Sequence, residues 1–339
     1  MITPLPGPAD WIDAALECAR HKERAVLALV TSERGSTPRD TGSWILLTKD
    51  ADVGTIGGGE LERTIIEAGR AMLEGAGTWS RAPMQCALGP DMRQCCGGVM
   101  HVLLEPVDAD ALEWLSQAKQ QLASQDHVRI AIDKVAFKAS PIVITDERFK
   151  DQIAPETMVL SFSENRPQLA LFGAGHVGRA LCTIASQLPL RVTVFDGRPD
   201  QCAQVPEAAN IRVDEHFDPV LGAGQLEGYE AALVMTHSHS LDYELCRILL
   251  RRSGLWYTGL IGSESKSRRF RKALRKDGLH DLELARLTSP IGKKGPAGKE
   301  PGVIALGVLG EILEICNAGK DRLRSSAATA IPLDQAHYG

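Results

Sequence analysis

Apolar and polar positions follow two different rhythms along this chain. Over residues 9–24 the side chains of Trp11, Ala14, Ala15 and Cys18 recur on one stripe, which predicts an amphipathic helix. Residues 25–31, AVLALVT, form an unbroken β-branched apolar run and predict a buried strand; SWILLT at 43–48 predicts a second. The run VGTIGGG at 53–59 opens onto a helix predicted from about Glu60 to Glu74. VMHVLLE at 99–105 predicts a strand and residues 109–124 a helix, whereas 127–150 alternate too weakly to place. A stretch containing Ser, Glu, Asn and Pro, from Pro155 to Pro167, marks a boundary. Beyond it the rhythm is regular. Strands are predicted at 168–172, 191–195, 230–236 and 256–261, and helices from the glycine turn after Phe172 to about Gln187, at 241–252 and at 263–276. The composition of Gly292–Gly302, GKKGPAGKEPG, predicts an exposed mobile loop before a last helix ending near Asn317. Strands that alternate with helices predict a parallel sheet.

Composition adds bounds to this picture. At ~150 residues per domain, 339 residues suggest two domains. The balance of 38 basic against 43 acidic residues argues against a globally basic nucleic-acid binder. No window approaches the ~18 uncharged apolar residues of a membrane span. The start, Met1 to Pro6, has no basic and apolar leader, so a cytoplasmic protein with its eight cysteines as reduced thiols is expected. The 32 glycines exceed the usual ~7% and are concentrated in a few turns.

One of these turns carries a specific chemistry. Leu169–Gly178, LALFGAGHVG, sets Gly173, Gly175 and Gly178 in G-x-G-x-x-G spacing, after a strand and at the opening of a helix. Gly173 permits the tight turn, Gly175 lets backbone amides approach a phosphate, and Gly178 lets the helix pack on the strand. Asp196 ends the next strand, where such an acid binds ribose hydroxyls. The fold class expected is therefore α/β: an N-terminal α/β domain over 1–155, a linker over 156–166, a Rossmann-like, doubly wound parallel-sheet domain over 167–320, and a tail over 321–339. His176 either donates to a phosphate or simply stands exposed at a helix start. Thr236-His237-Ser238-His239 follows an apolar strand and is either a ligand-contacting loop or a capping turn with Ser240 as N-cap. His237, His239 and Asp242 also offer a metal site, although their spacing departs by one residue from that of the metallo-hydrolases. The basic run from Lys266 to Lys276 reads as a solvated helix face, with Gly262 and Ser263 at its start suited to an anionic ligand.

The N-terminal half holds three glycine-rich clusters: GSTPRDTG at 35–42, GTIGGGELE at 54–62 and LGPDMRQCCGG at 88–98. Gly57, Gly58 and Gly59 expose successive amides as an anion-binding concavity, with Arg39 as a nearby cation. Cys95 and Cys96 are adjacent, unlike a zinc knuckle or a redox C-x-x-C. They are either reactive thiols or small buried residues.

Together with LALFGAGHVGRAL (169–181), MTHSHSLDYEL (235–245) and YTGLIGSESKSRRF (257–270), these clusters resemble the xanthine dehydrogenase accessory proteins of the XdhC/CoxI family, over roughly residues 10–315. The resemblance implies a cofactor chaperone with no turnover of its own. Its cargo would be the molybdenum cofactor, a phosphorylated pterin dithiolene. The protein would hold it while a cysteine desulfurase replaces an oxo ligand by a sulfido ligand, then assist its insertion into xanthine dehydrogenase or a related molybdenum hydroxylase. A homodimer is implied, with neither a nucleic acid nor a membrane as partner. Carried over by residue, the cargo contacts are Arg39, Gly57, Gly58, Gly59, Gly173, Gly175, His176, Gly178, Asp196, His237, Gly262 and Ser263, with Cys95 or Cys96 toward the molybdenum. The Lys293–Pro301 stretch departs from the glycine-rich run usual there in the family. From the residues alone, the fingerprint with Asp196 also supports another reading, an NAD(P)-dependent oxidoreductase.

Overall fold

The computed structural model describes residues 7–75, 79–88, 97–134, 136–138, 140–144, 157–164, 166–214 and 218–327, the last eleven as backbone only. The chain divides into two compact units, one within residues 6–165 and the other from Arg166 onward.

The first unit runs α1 (Asp10–Arg20), β1 (Ala25–Arg34), β2 (Trp44–Leu47), β3 (Asp52–Thr55), α2 (Gly59–Leu73), β4 (Ala82–Ala87), β5 (Val99–Val107), α3 (Leu112–Gln125), β6 (His127–Asp133), β7 (Ile142–Val143) and β8 (Thr157–Ser163). An antiparallel sheet of order β3-β2-β1-β5-β4 forms its centre, beside a smaller sheet of order β7-β6-β8. The first six residues of β1 are all buried because both faces are covered. Val26, Ala28 and Val30 share a core with Leu61, Ile65 and Met72 of α2. Ala25, Leu27 and Leu29 share another with α1, α3 and the small sheet, where the Trp11 ring packs edge-on against Phe162 at 5.0 Å. Each large side chain buried this way contributes roughly 1.5–3 kcal/mol. The β1–β5 register shifts between Val30 and Ser32, a bulge at Thr31 that precedes the first glycine cluster.

The second unit runs β9 (Gln168–Phe172), α4 (His176–Ala185), β10 (Arg191–Phe195), α5 (Pro199–Cys202), β11 (Ile211–Val213), α6 (Pro219–Gly224), β12 (Ala231–Val234), α7 (His239–Leu249), β13 (Tyr257–Leu260), α8 (Glu264–Lys276), α9 (Asp281–Ala285), β14 (Leu287–Thr288) and α10 (Pro301–Ala327). Its sheet has the order β11-β10-β9-β12-β13-β14, with every pairing parallel. Taken in chain order this is 3-2-1-4-5-6, the doubly wound arrangement, and it reverses direction between β9 and β12, where such sheets open a ligand crevice. Helices cover both faces, so β9, β12 and β13 read as near-continuous apolar runs.

Several expectations change. The segment read as a linker contains β8, paired along its whole length with β6, because Leu160 and Phe162 alternate into the first unit's core. The unplaced 127–150 stretch supplies β6 and β7, and β4 forms from a segment with little apolar signal. The cap of α7 is Ser238, not Ser240: the Ser238 hydroxyl accepts from the Leu241 amide, so the helix begins two residues earlier than read. The last helix continues to Ala327. The lysine-rich loop is exposed but anchored. The Gly292 amide donates to Glu311 (3.0 Å), Lys293 pairs with Glu264, Lys294 lies 3.6 Å from Glu314, and a methyl group on Gly295 would sit 2.4 Å from the Gly307 Cα. No helix among the described residues is long and apolar enough to cross a membrane.

Candidate functional site

In the first unit, three glycine clusters distant in sequence meet at one end of the central sheet. Strand pairing brings Arg34, the last residue of β1, opposite Val99. Gly35 and Gly98 then lie back to back: a Cβ on Gly35 would be 3.1 Å from the Gly98 Cα, and the Gly98 amide donates to the Ser36 carbonyl (3.1 Å). On the other side, a Cβ on Gly57 would fall 2.8 Å from Pro38 Cγ and 3.4 Å from Arg39 Cγ. Residues 35–39 therefore bridge the second cluster and the end of the third, with Arg39 exposed. Cys95 and Cys96 fall outside the described residues.

The Gly57–Gly59 loop has the left-handed φ angles that a concavity requires, at 123°, 74° and 67°. The concavity is nonetheless already used. Glu62, one turn into α2, returns its carboxylate so that Oε2 accepts from the Thr55 hydroxyl (2.6 Å) and from the amides of Ile56 (2.8 Å) and Gly58 (3.2 Å). The Gly57 amide turns to the Thr55 hydroxyl (3.3 Å). Burial pushes the Glu62 carboxyl up, but the hydroxyl and amide donors outweigh it and hold the pKa below the ordinary value. The loop thus carries an internal anion. A Cβ on Gly58 would meet nothing within 4 Å, so its outer side is open.

In the second unit the fingerprint glycines take distinct roles. A Cβ on Gly173 would strike the Met235 carbonyl oxygen at 2.4 Å, and one on Gly178 the Gly173 carbonyl oxygen at 2.1 Å, whereas Gly175 faces open space. His176 is the first residue of α4 and is exposed. Gly173, Asp196 and His237 line one cavity of about 160 Å³ at the carboxyl ends of β9, β10 and β12. Gly262 and Ser263 lie one strand further on, Ser263 capping α8 through the Lys266 amide, and they do not line that cavity.

Two polar arrangements at this edge escape a reading of the sequence. Asp196 is 5% exposed and engaged on both oxygens: Oδ1 accepts from the Arg198 amide (3.0 Å) and Nε (2.8 Å), Oδ2 from the Ala174 amide (2.7 Å) and Arg198 Nη2 (2.6 Å). Burial pushes its carboxyl up, but Arg198 and the Ala174 amide outweigh burial and hold it low. Asp242, 1% exposed, accepts from the Thr236 hydroxyl (2.7 Å) and from Lys266 Nζ (2.6 Å), which also donates to the Ile261 carbonyl (3.0 Å). The ammonium on Asp242 replaces the metal considered for His237, His239 and Asp242. His239 instead meets Arg269 at 3.2 Å, and no group of three metal-ligating side chains is found among the described residues. The sequence marks neither partner as such, although Arg198 stands two residues after Asp196, as Glu62 of the first unit stands three after Gly59.

Comparison with known proteins agrees with this architecture. The profile of the XdhC and CoxI family matches residues 18–80, and that of the XdhC Rossmann domain matches residues 169–312. The chain is 26% identical over 330 residues to a probable xanthine dehydrogenase subunit of Bacillus subtilis, covering 89% of this chain and 96% of that protein. It is 26% identical over 293 residues to the uncharacterised protein YqeB of Escherichia coli, covering 86% of this chain but only 43% of YqeB. A crystal structure of a xanthine dehydrogenase from Bacillus halodurans superposes with a TM-score of 0.70 at 23% identity, over 92% of this chain and 96% of that one, a likeness of fold. With a profile of the family matched within each unit and the strand order of the second unit in place, the chain belongs to the XdhC and CoxI family.

Proposed function

We propose that this protein is an accessory factor of a molybdenum hydroxylase of the xanthine dehydrogenase type. It would bind the molybdenum cofactor, hold it during sulfuration by a cysteine desulfurase, and assist its insertion. The observation that carries this reading is the meeting of the three glycine clusters at one end of the first unit's sheet. One of them carries the exposed Arg39, and another runs through Cys95 and Cys96 to Gly98. The xanthine dehydrogenase named for the Bacillus subtilis relative supports the choice of client.

The chemistry is that of holding a cargo. The pterin cofactor ends in a phosphate, and its molybdenum favours sulfur ligands. With the Ile56 and Gly58 amides bound to Glu62, Gly57, Gly58 and Gly59 serve chiefly by leaving room for a close approach, and Arg39 is the cation that meets the phosphate. Cys95 or Cys96 would face the metal. The test is to isolate the protein from cells that make the cofactor and to analyse bound pterin by mass and absorbance. The wild type should carry molybdopterin, and the Cys95→Ala, Cys96→Ala double variant should hold it about tenfold more weakly, or ~1.4 kcal/mol. Unchanged affinity in the double variant would remove the thiols from the site, and absence of any pterin from the wild type would refute the reading.

A further inference from the structure

The acid at the end of the second strand of a doubly wound sheet ordinarily accepts hydrogen bonds from the two hydroxyls of a ribose. Asp196 occupies that position at the end of β10 but has no capacity left. A carboxylate offers about four lone-pair sites. The Arg198 amide and Nε take those of Oδ1, and the Ala174 amide and Arg198 Nη2 take those of Oδ2. A ribose diol reaching this point would find no acceptor and would have to break a partly buried ion pair.

The same pair fixes a cation there. Arg198 lies across Asp196 through Nε and Nη2, and of the about five N–H donors of its guanidinium the remaining three have no partner among the described residues. Its side chain is 33% exposed and lines the 160 Å³ cavity, whose walls include the apolar Phe195, Pro219 and Leu241. An apolar slot of this size suits a planar base, and a fixed guanidinium fork at its side suits a doubly charged phosphate oxygen face. On the other side Gly175 leaves open space before α4, where a second phosphate can approach the helix start.

We propose that the second unit binds a nucleotide whose ribose carries a phosphate at its 2′-oxygen in addition to the one at the 5′-end, with Arg198 as the recognising residue and Asp196 as the residue that positions it. The acid that in related folds selects a free ribose here selects against one. The resemblance also placed cofactor contacts in this unit, but the observation that carries the molybdenum-cofactor reading lies in the first unit and the ligand proposed here contains no pterin, so either can fail without the other.

The test is calorimetric titration of the full chain with adenosine 2′,5′-bisphosphate and, separately, with adenosine 5′-monophosphate. The bisphosphate is expected to bind about tenfold or more tightly than the monophosphate. Arg198→Ala should bring the two affinities together by weakening only the bisphosphate, and Arg198→Lys should restore part of the difference. Because Arg198 is partly exposed, its variants should keep the wild-type circular dichroism spectrum. Equal affinities in the wild type, no binding of either nucleotide, or a preference that survives Arg198→Ala in a folded variant would each overturn the proposal.

Discussion

Glu62 shows how one side chain can decide what a loop does. Three glycines in succession should present amides to a ligand, yet this carboxylate accepts from the Gly58 amide, from the Ile56 amide just before the glycines and from the Thr55 hydroxyl. Hydrogen bonds to a charged group contribute about 1.5–3 kcal/mol. Glu62→Ala, which leaves partly buried donors unpaired, should therefore lower stability by about 2 kcal/mol in urea titration at pH 7. The pH dependence has a definite sign. The folded-state pKa lies below the ordinary value of 4.5, so the contribution is present above about pH 4.5 and lost as pH falls through the depressed value. The gap between wild type and Glu62→Ala should narrow on acidification below that point; a gap that widened would contradict the assignment. Neither this role nor that of Arg198 was legible in the sequence, although both residues stand within three positions of a motif that was. A motif records which backbone is free to bend, whereas the partner of an amide depends on a side chain returning from the next element.

At the level of elements, legibility followed the strength of the local signal. β9 and β10 emerged with the same ends as read, 168–172 and 191–195, because apolar runs there are closed by glycine turns at fixed offsets. β8 was hidden in a stretch bounded by Glu, Asn and Pro, since only alternate residues, Met158, Leu160 and Phe162, face the core. β4, with a single buried residue, gave still less. The β9–α4 junction carries a prediction of its own. Gly178→Ala places a methyl group on the Gly173 carbonyl, and such overpacking costs about 1–3 kcal/mol. A lower thermal midpoint is expected; an unchanged one would mean that helix and loop have room to separate.

For the whole molecule, the distribution of thiols matters more than their number. Cys18, Cys86, Cys182, Cys202, Cys246 and Cys316 are all buried. Burial pushes the thiols of Cys182 and Cys246 up to about 12, and those of Cys18, Cys86 and Cys202 also rise. Since the thiolate is the nucleophile, brief alkylation of the native protein at pH 7.5 should leave these positions unmodified. Peptide mapping should then find the label on Cys95 or Cys96, and labelling of the buried set at a comparable rate would refute this. The bulge at Thr31 has a consequence for the whole first unit. Before it, even-numbered residues of β1 share a face with even-numbered residues of β5, Val30 opposite Val102; after it, Ser32 stands opposite His101 and Arg34 opposite Val99. One extra residue has inverted the parity of the strand. The chain enters the first glycine cluster in the opposite phase from the one in which it left the core, so a buried hydrophobic ladder and an exposed edge can follow each other on a single strand.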